Sequence, residues 1–112
     1  MQQRDQDRIG HMLEAAVKAT GYVEGRARED LDTDEVLRLA LTKLVEIVGE
    51  AAKHVTEETR AEHPAVPWSA ASRMRDRLVH HYFDINRDIL WSTVTEELPK
   101  LADVLRTIGA DE

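Results

Sequence analysis

Hydrophobic positions recur at helical spacing from near the start of the chain to near its end. Ile9, Met12, Leu13, Ala16, Ala19, Thr20 and Val23 step by threes and fours, which predicts a first amphipathic helix over about 5–24. Gly21 and Gly25 loosen its end. Asp32, followed three residues later by Glu35, resembles a capping box and opens a second helix that runs to about Thr56. Val36, Leu37, Leu39, Ala40, Leu41, Leu44, Val45, Ile47, Val48, Ala51, Ala52 and Val55 cover more than half its circumference, so it should be the central, most buried helix. Gly49 inside it costs about 1 kcal/mol relative to alanine, and a close approach by another helix would offset that.

Residues 59–67, with Pro64 and Pro67, read as a connection. Pro67 suits the first turn of a third helix, from about Trp68 to His81 or Tyr82. A fourth starts near Asp84 or Asn86, either of which can cap it. Its period continues through Ile89, Leu90, Val94, Leu98, Leu101, Val104, Leu105 and Ile108. Pro99 falls inside that pattern and should kink or break it. No segment sustains the period-two alternation of a strand. The expected fold is all-α, an up-and-down four-helix bundle.

Composition narrows this picture. The 112 residues suit one domain spanning 1–112, with 33% charged and 42% hydrophobic residues. There is no cysteine, so a zinc site would have to use histidines and carboxylates. A cytoplasmic location fits that usage, no stretch is long and apolar enough to span a bilayer, and residues 1–9 do not resemble a signal peptide. The net charge of -7 argues against indiscriminate nucleic-acid binding. RNA contact would need a local basic cluster, and a neutral or basic protein partner suits the charge equally well.

Candidate chemistry centres on the third helix. Ala71, Ser72, Leu78, Val79 and Tyr82 share one face, and Arg75 falls near its middle. A guanidinium there must pair with a carboxylate, face a partner or line a site, because burying it alone costs several kcal/mol. Glu46 and Glu50, one turn apart on the second helix, are the natural structural partners. Asp76 precedes His80 by four residues, so on a helix the two side chains can meet, orienting the imidazole for acid–base work. Arg75 and His80 lie about 140° apart on an ideal helix. A joint site therefore requires unwinding at the helix end or a second copy across a two-fold axis. Arg73, Arg75 and Arg77 form a small basic cluster that, with His81, could hold a phosphate backbone. Trp68 and Trp91 read as core anchors, and His11, His54 and His63 as solvated or locally bonded. His80, His81 and Asp84 are a poor metal set, since adjacent histidines on a helix diverge, and no metal or other cofactor is expected.

The run Arg75-Asp76-Arg77-Leu78-Val79-His80-His81-Tyr82 resembles the R-x4-H-x-Y motif of HepT-like HEPN proteins. The flanks are similar too: Val66-Pro67-Trp68, Phe83-Asp84-Ile85, Trp91, Glu97-Leu98-Pro99, and the second-helix run from Leu44 to Ala52. Asp76 departs from the commoner asparagine, though either can orient the histidine. The resemblance implies a two-fold dimer of helical bundles whose motifs meet in a composite cleft, and a metal-independent endoribonuclease. It assigns His80 to acid–base catalysis, Arg75 to the developing phosphorane charge and Asp76 to orienting His80. It also implies a toxin whose antitoxin is a minimal nucleotidyltransferase that attaches AMP to Tyr82. The competing expectation is a non-catalytic helical module that binds a nucleotide or that transferase.

Overall fold

The computed structural model describes residues 1–81 and 84–110, with His80, His81, Gly109 and Ala110 described by backbone alone. Two long helices form the centre: α1, Gln3–Tyr22, and α3, Glu35–His54. They run antiparallel, since Arg8 near the start of α1 donates to the His54 carbonyl at the end of α3. Ile9, Met12, Ala15, Ala16 and Ala19 of α1 meet Leu37, Leu41, Val45, Val48 and Ala52 of α3 in the core. The broken pair α5, Trp68–Ser72, and α6, Met74–Leu78, packs on α3. A last segment comprises α7, Arg87–Ser92, a π-helical turn at Thr93–Glu97, and α8, Leu98–Ala110, which packs on α1. Leu98, Leu101, Leu105 and Ile108 complete the core. Each such buried leucine contributes about 2 kcal/mol relative to exposure. The result is the expected all-α bundle.

The local departures have identifiable causes. Helix α3 is capped by Asp34, not by the expected Asp32: the Asp34 carboxylate accepts from the Leu37 N–H at 3.0 Å. Asp32 sits instead in a four-residue helix α2, Asp30–Thr33, and pairs with Arg28 and Arg87, each at 3.0 Å. Those guanidiniums hold the Asp32 carboxyl below its usual range, Arg87 acting most strongly. The expected connection contains another short helix, α4, Glu57–Glu62, capped by Thr56. Arg60 from α4 donates to the carbonyls of Ala52, Lys53 and Val55, satisfying the end of α3. Asp5 of α1 is wholly buried and accepts from the hydroxyls of Thr56 and Thr59, both at 2.6 Å, locking α1 to the start of α4. Burial pushes the Asp5 carboxyl up, but the Thr56 and Thr59 hydrogen bonds outweigh it and hold the carboxyl low.

The third helix is shorter than its periodicity suggests. It breaks at Arg73 and ends at Leu78. Val79–His81 then forms strand β1, paired antiparallel with β2, Asp84–Ile85, in the register Val79 opposite Ile85. This small hairpin was not foreseen, being too short for alternation to show. Valine and two histidines are weak helix formers, and the buried Leu78 anchors the exit. The Leu78 carbonyl accepts from the Asn86 N–H at 2.7 Å, and Asn86 in turn caps α7 through Ile89. Pro99 does not end the last helix. It supplies no N–H for the Thr95 carbonyl, and the ladder adjusts one turn earlier, where the Leu98 N–H bonds Thr93 five residues back.

Gly49 fits its expectation. A Cβ there would lie 3.4 Å from the Ala71 carbonyl oxygen and 3.5 Å from that of Ser72. The α5 backbone thus passes α3 at contact distance from this position.

Candidate active site

That close approach sets the floor of an open groove of about 390 Å³ between α3 and the α5–α6 break. Arg75 on α6 lines one wall, and Glu46 and Glu50 on α3 line the other. Arg75 is not buried on the apolar face; its side chain is 51% exposed, because the break at Arg73 turns α6 away from a continuous helical strip. Its Nε donates to Glu46 Oε1 at 3.3 Å. Nη1 lies 3.9 Å from Asp76, too far for a hydrogen bond. The pairing therefore orients the guanidinium, and its terminal nitrogens have no hydrogen-bond partner among the described residues. Of the two carboxylates expected beside Arg75, Glu46 makes the contact, whereas Glu50 lies 3.6 Å from His54.

Asp76 lines the same groove. The expected helical Asp76–His80 pairing loses its premise, since the helix ends at Leu78 and the backbone at His80 is extended. The same ending supplies the unwinding that a joint Arg75–His80 site requires. The side chains of His80 and His81, and Tyr82 entirely, lie outside the described residues.

The other arginines of the cluster differ sharply. Arg77 grips Glu97 through two hydrogen bonds, 2.9 and 2.7 Å, tying α6 to the π-helical turn. The Arg77 guanidinium holds the Glu97 carboxyl below its ordinary range, and Glu97 raises the arginine in return. Arg73 is exposed at the break and has no partner among the described residues.

Lys43 and Lys53 also line the groove, and the reading of the sequence passed over both. The signal was present: Lys43, Glu46, Glu50 and Lys53 step by three, four and three along one strip of α3. Among the described residues no cluster of histidines and carboxylates has the arrangement of a metal site, and no helix is long and apolar enough to cross a membrane.

A helical bundle with an arginine-lined groove, in a sequence that carries an R-x4-H-x-Y run, is similar to a HEPN-type domain. More particularly, the chain belongs to the ribonuclease HepT-like family, whose profile matches residues 12–108. It is 38% identical over 100 residues to a protein of Caldanaerobacter subterraneus subsp. tengcongensis assigned as an RNase, covering 89% of each chain. It is 33% identical to a protein of Thermococcus cleftensis assigned as a ribonuclease HepT, covering 90% of this chain and 92% of that one. An RNase-assigned protein of Methanocaldococcus jannaschii is 36% identical over 93 residues, covering 74% and 77% of the two chains. No solved structure gives a significant match.

Proposed function

We propose that this chain is a metal-independent endoribonuclease, a single-domain cytoplasmic toxin that acts as a two-fold dimer. The observation that carries the reading is Arg75: a half-exposed guanidinium, oriented through Nε alone and facing an open groove, within the motif of a ribonuclease family. In this reaction His80 takes the proton of a ribose 2′-OH, whose oxygen attacks the adjacent phosphorus. The bond from phosphorus to the 5′-oxygen breaks, and that oxygen is protonated as it leaves. Arg75 stabilises the charge gathering on the non-bridging oxygens. The products carry a 2′,3′-cyclic phosphate and a 5′-hydroxyl. The nucleophile comes from the RNA, so the scheme needs no metal.

Support for the dimer lies at the start of α3. Val36 and Leu39 are 77% and 59% exposed, although this helix is the central one. The antiparallel end of α1 adds the exposed Val17 and Tyr22. Large apolar side chains left in water are the usual material of an interface. Purified chain incubated with labelled structured RNA in EDTA is expected to cut it and leave cyclic phosphate ends. Intact RNA across a panel of structured and single-stranded substrates would favour the binding module instead.

Control is assigned to a nucleotidyltransferase antitoxin. The Tyr82 hydroxyl attacks the α-phosphorus of ATP, the phenolic proton is lost and pyrophosphate leaves. The added phosphate would place charge and bulk at a phosphate-binding cleft. Mass spectrometry after incubation with the cognate transferase and ATP should find one AMP on Tyr82. A neutralised toxin with an unmodified Tyr82 would rule this mechanism out.

A further inference from the structure

The groove holds more cationic chemistry than the reaction uses. Lys43 and Lys53 are both exposed, and neither amine has a partner among the described residues. The carboxylates of the same groove are differently placed: Glu46 contacts Arg75 at 3.3 Å, Asp76 lies 3.9 Å from it, and Glu50 lies beside His54. Two of the three carboxylates lie beside Arg75 and the third beside His54, so none makes an ion pair with either lysine among the described residues. Ten residues separate Lys43 from Lys53, which is about 15 Å along the helix axis. Glu46, the Arg75 partner, falls between them, so the three cations are spread along the groove on both sides of Arg75. That span leaves room for more than one backbone phosphate of a strand.

We propose that Lys43 and Lys53 bind backbone phosphates of a single-stranded RNA segment on either side of the phosphate engaged by Arg75. This rests on the ribonuclease reading for the identity of the central phosphate, but the two lysines are a separate site. Point charges on flexible stems suit sequence-independent phosphate contacts, which fix the register of the strand and leave base choice to other groups. They also answer the charge problem. A chain of net charge -7 gains its grip from a few uncommitted cations in one channel instead of from its whole surface.

The test uses a fully 2′-O-methylated RNA oligonucleotide, which cannot be cut, and fluorescence anisotropy across a salt series. The variants are Lys43→Gln, Lys53→Gln and the double substitution, with Lys100→Gln as a control cation outside the groove. The double variant is expected to bind roughly tenfold more weakly. Its plot of log affinity against log salt should be shallower by about 1.4, the loss of two single-strand phosphate contacts. Wild-type affinity and slope in a correctly folded double variant would overturn the proposal, as would no binding by the wild type. Unchanged RNA affinity with an altered elution volume would assign the lysines to a protein interface and overturn it too. Binding by wild type that cuts no RNA, with the loss in the double variant, would sink the ribonuclease reading and leave the phosphate track standing. Cutting of RNA at equal rates by wild type and double variant would do the reverse.

Discussion

The His80→Ala protein is expected to lose RNA cleavage by about 10²–10⁴-fold, the usual contribution of a positioned acid–base group. Its far-ultraviolet circular dichroism and melting temperature should stay close to wild type. The backbone supports that separation. His80 follows the last buried anchor of α6, Leu78, and belongs to a short hairpin at the margin of the helical core. Most of the apolar cluster comes from the helices, and the hairpin adds only the partly buried Ile85 to it. Cleavage retained in purified His80→Ala would remove His80 from the mechanism. A collapsed melt alongside lost activity would make the residue structural. The hairpin also bears on how catalysis is assembled. An arginine and a histidine five residues apart cannot share one helical strip, but a helix that stops between them frees the second from the azimuth of the first.

The bundle was legible because it depends on long, periodic stretches. Met12, Leu41, Val45, Leu98, Leu101 and Leu105 are buried where a period of 3.6 places them. Gly49 was legible for another reason: an unfavourable residue in a helix needs a compensating contact, and the α5 carbonyls supply it. Where several local solutions compete, sequence spacing was a weaker guide. Asp32 and Asp34 are equally good caps by residue type. Arg28 and Arg87, one from a distant element, take Asp32, whereas Asp34 accepts from the Leu37 N–H through one oxygen and from Arg26 through the other. Val36 and Leu39 look like core residues on hydrophobicity alone, yet both are exposed.

The site shows the same division. Glu46 was recognisable as a partner for Arg75, because an arginine on an apolar strip demands a carboxylate on the facing helix. That Glu97 would claim Arg77 was not recognisable, since it stands twenty positions on, in a π-helical turn that periodicity does not announce. Arg75 and Arg77 are thus alike in sequence and opposite in circumstance. One is held by two hydrogen bonds as a strut, the other by a single bond at the edge of an open groove. Lys43 and Lys53 were overlooked because a charged strip on an amphipathic helix ordinarily means only solvent. Their meaning depends on what stands opposite, here the arginine of α6.

Replacement of Arg75 by alanine should reduce cleavage by about 10²–10³-fold, in line with removing one preorganised donor from a transition-state site. It should cost little stability. A half-exposed ion pair of the kind made with Glu46 contributes about 0.2–1 kcal/mol, so the melting temperature should move by only a few degrees. Arg75→Lys is the sharper comparison. It keeps the charge but loses the planar fork that grips two phosphate oxygens, and recovery should be partial at best. If Arg75→Ala melted far below wild type, the arginine would be a structural strut like Arg77 and the catalytic assignment would fail. If its melt and its cleavage were both unchanged, the groove would not be where the RNA is cut. The discriminating result is the split between the two measurements. Among the described residues the guanidinium has one hydrogen bond, through Nε to Glu46, so a large loss of stability would mean contacts that hold it back from a phosphate.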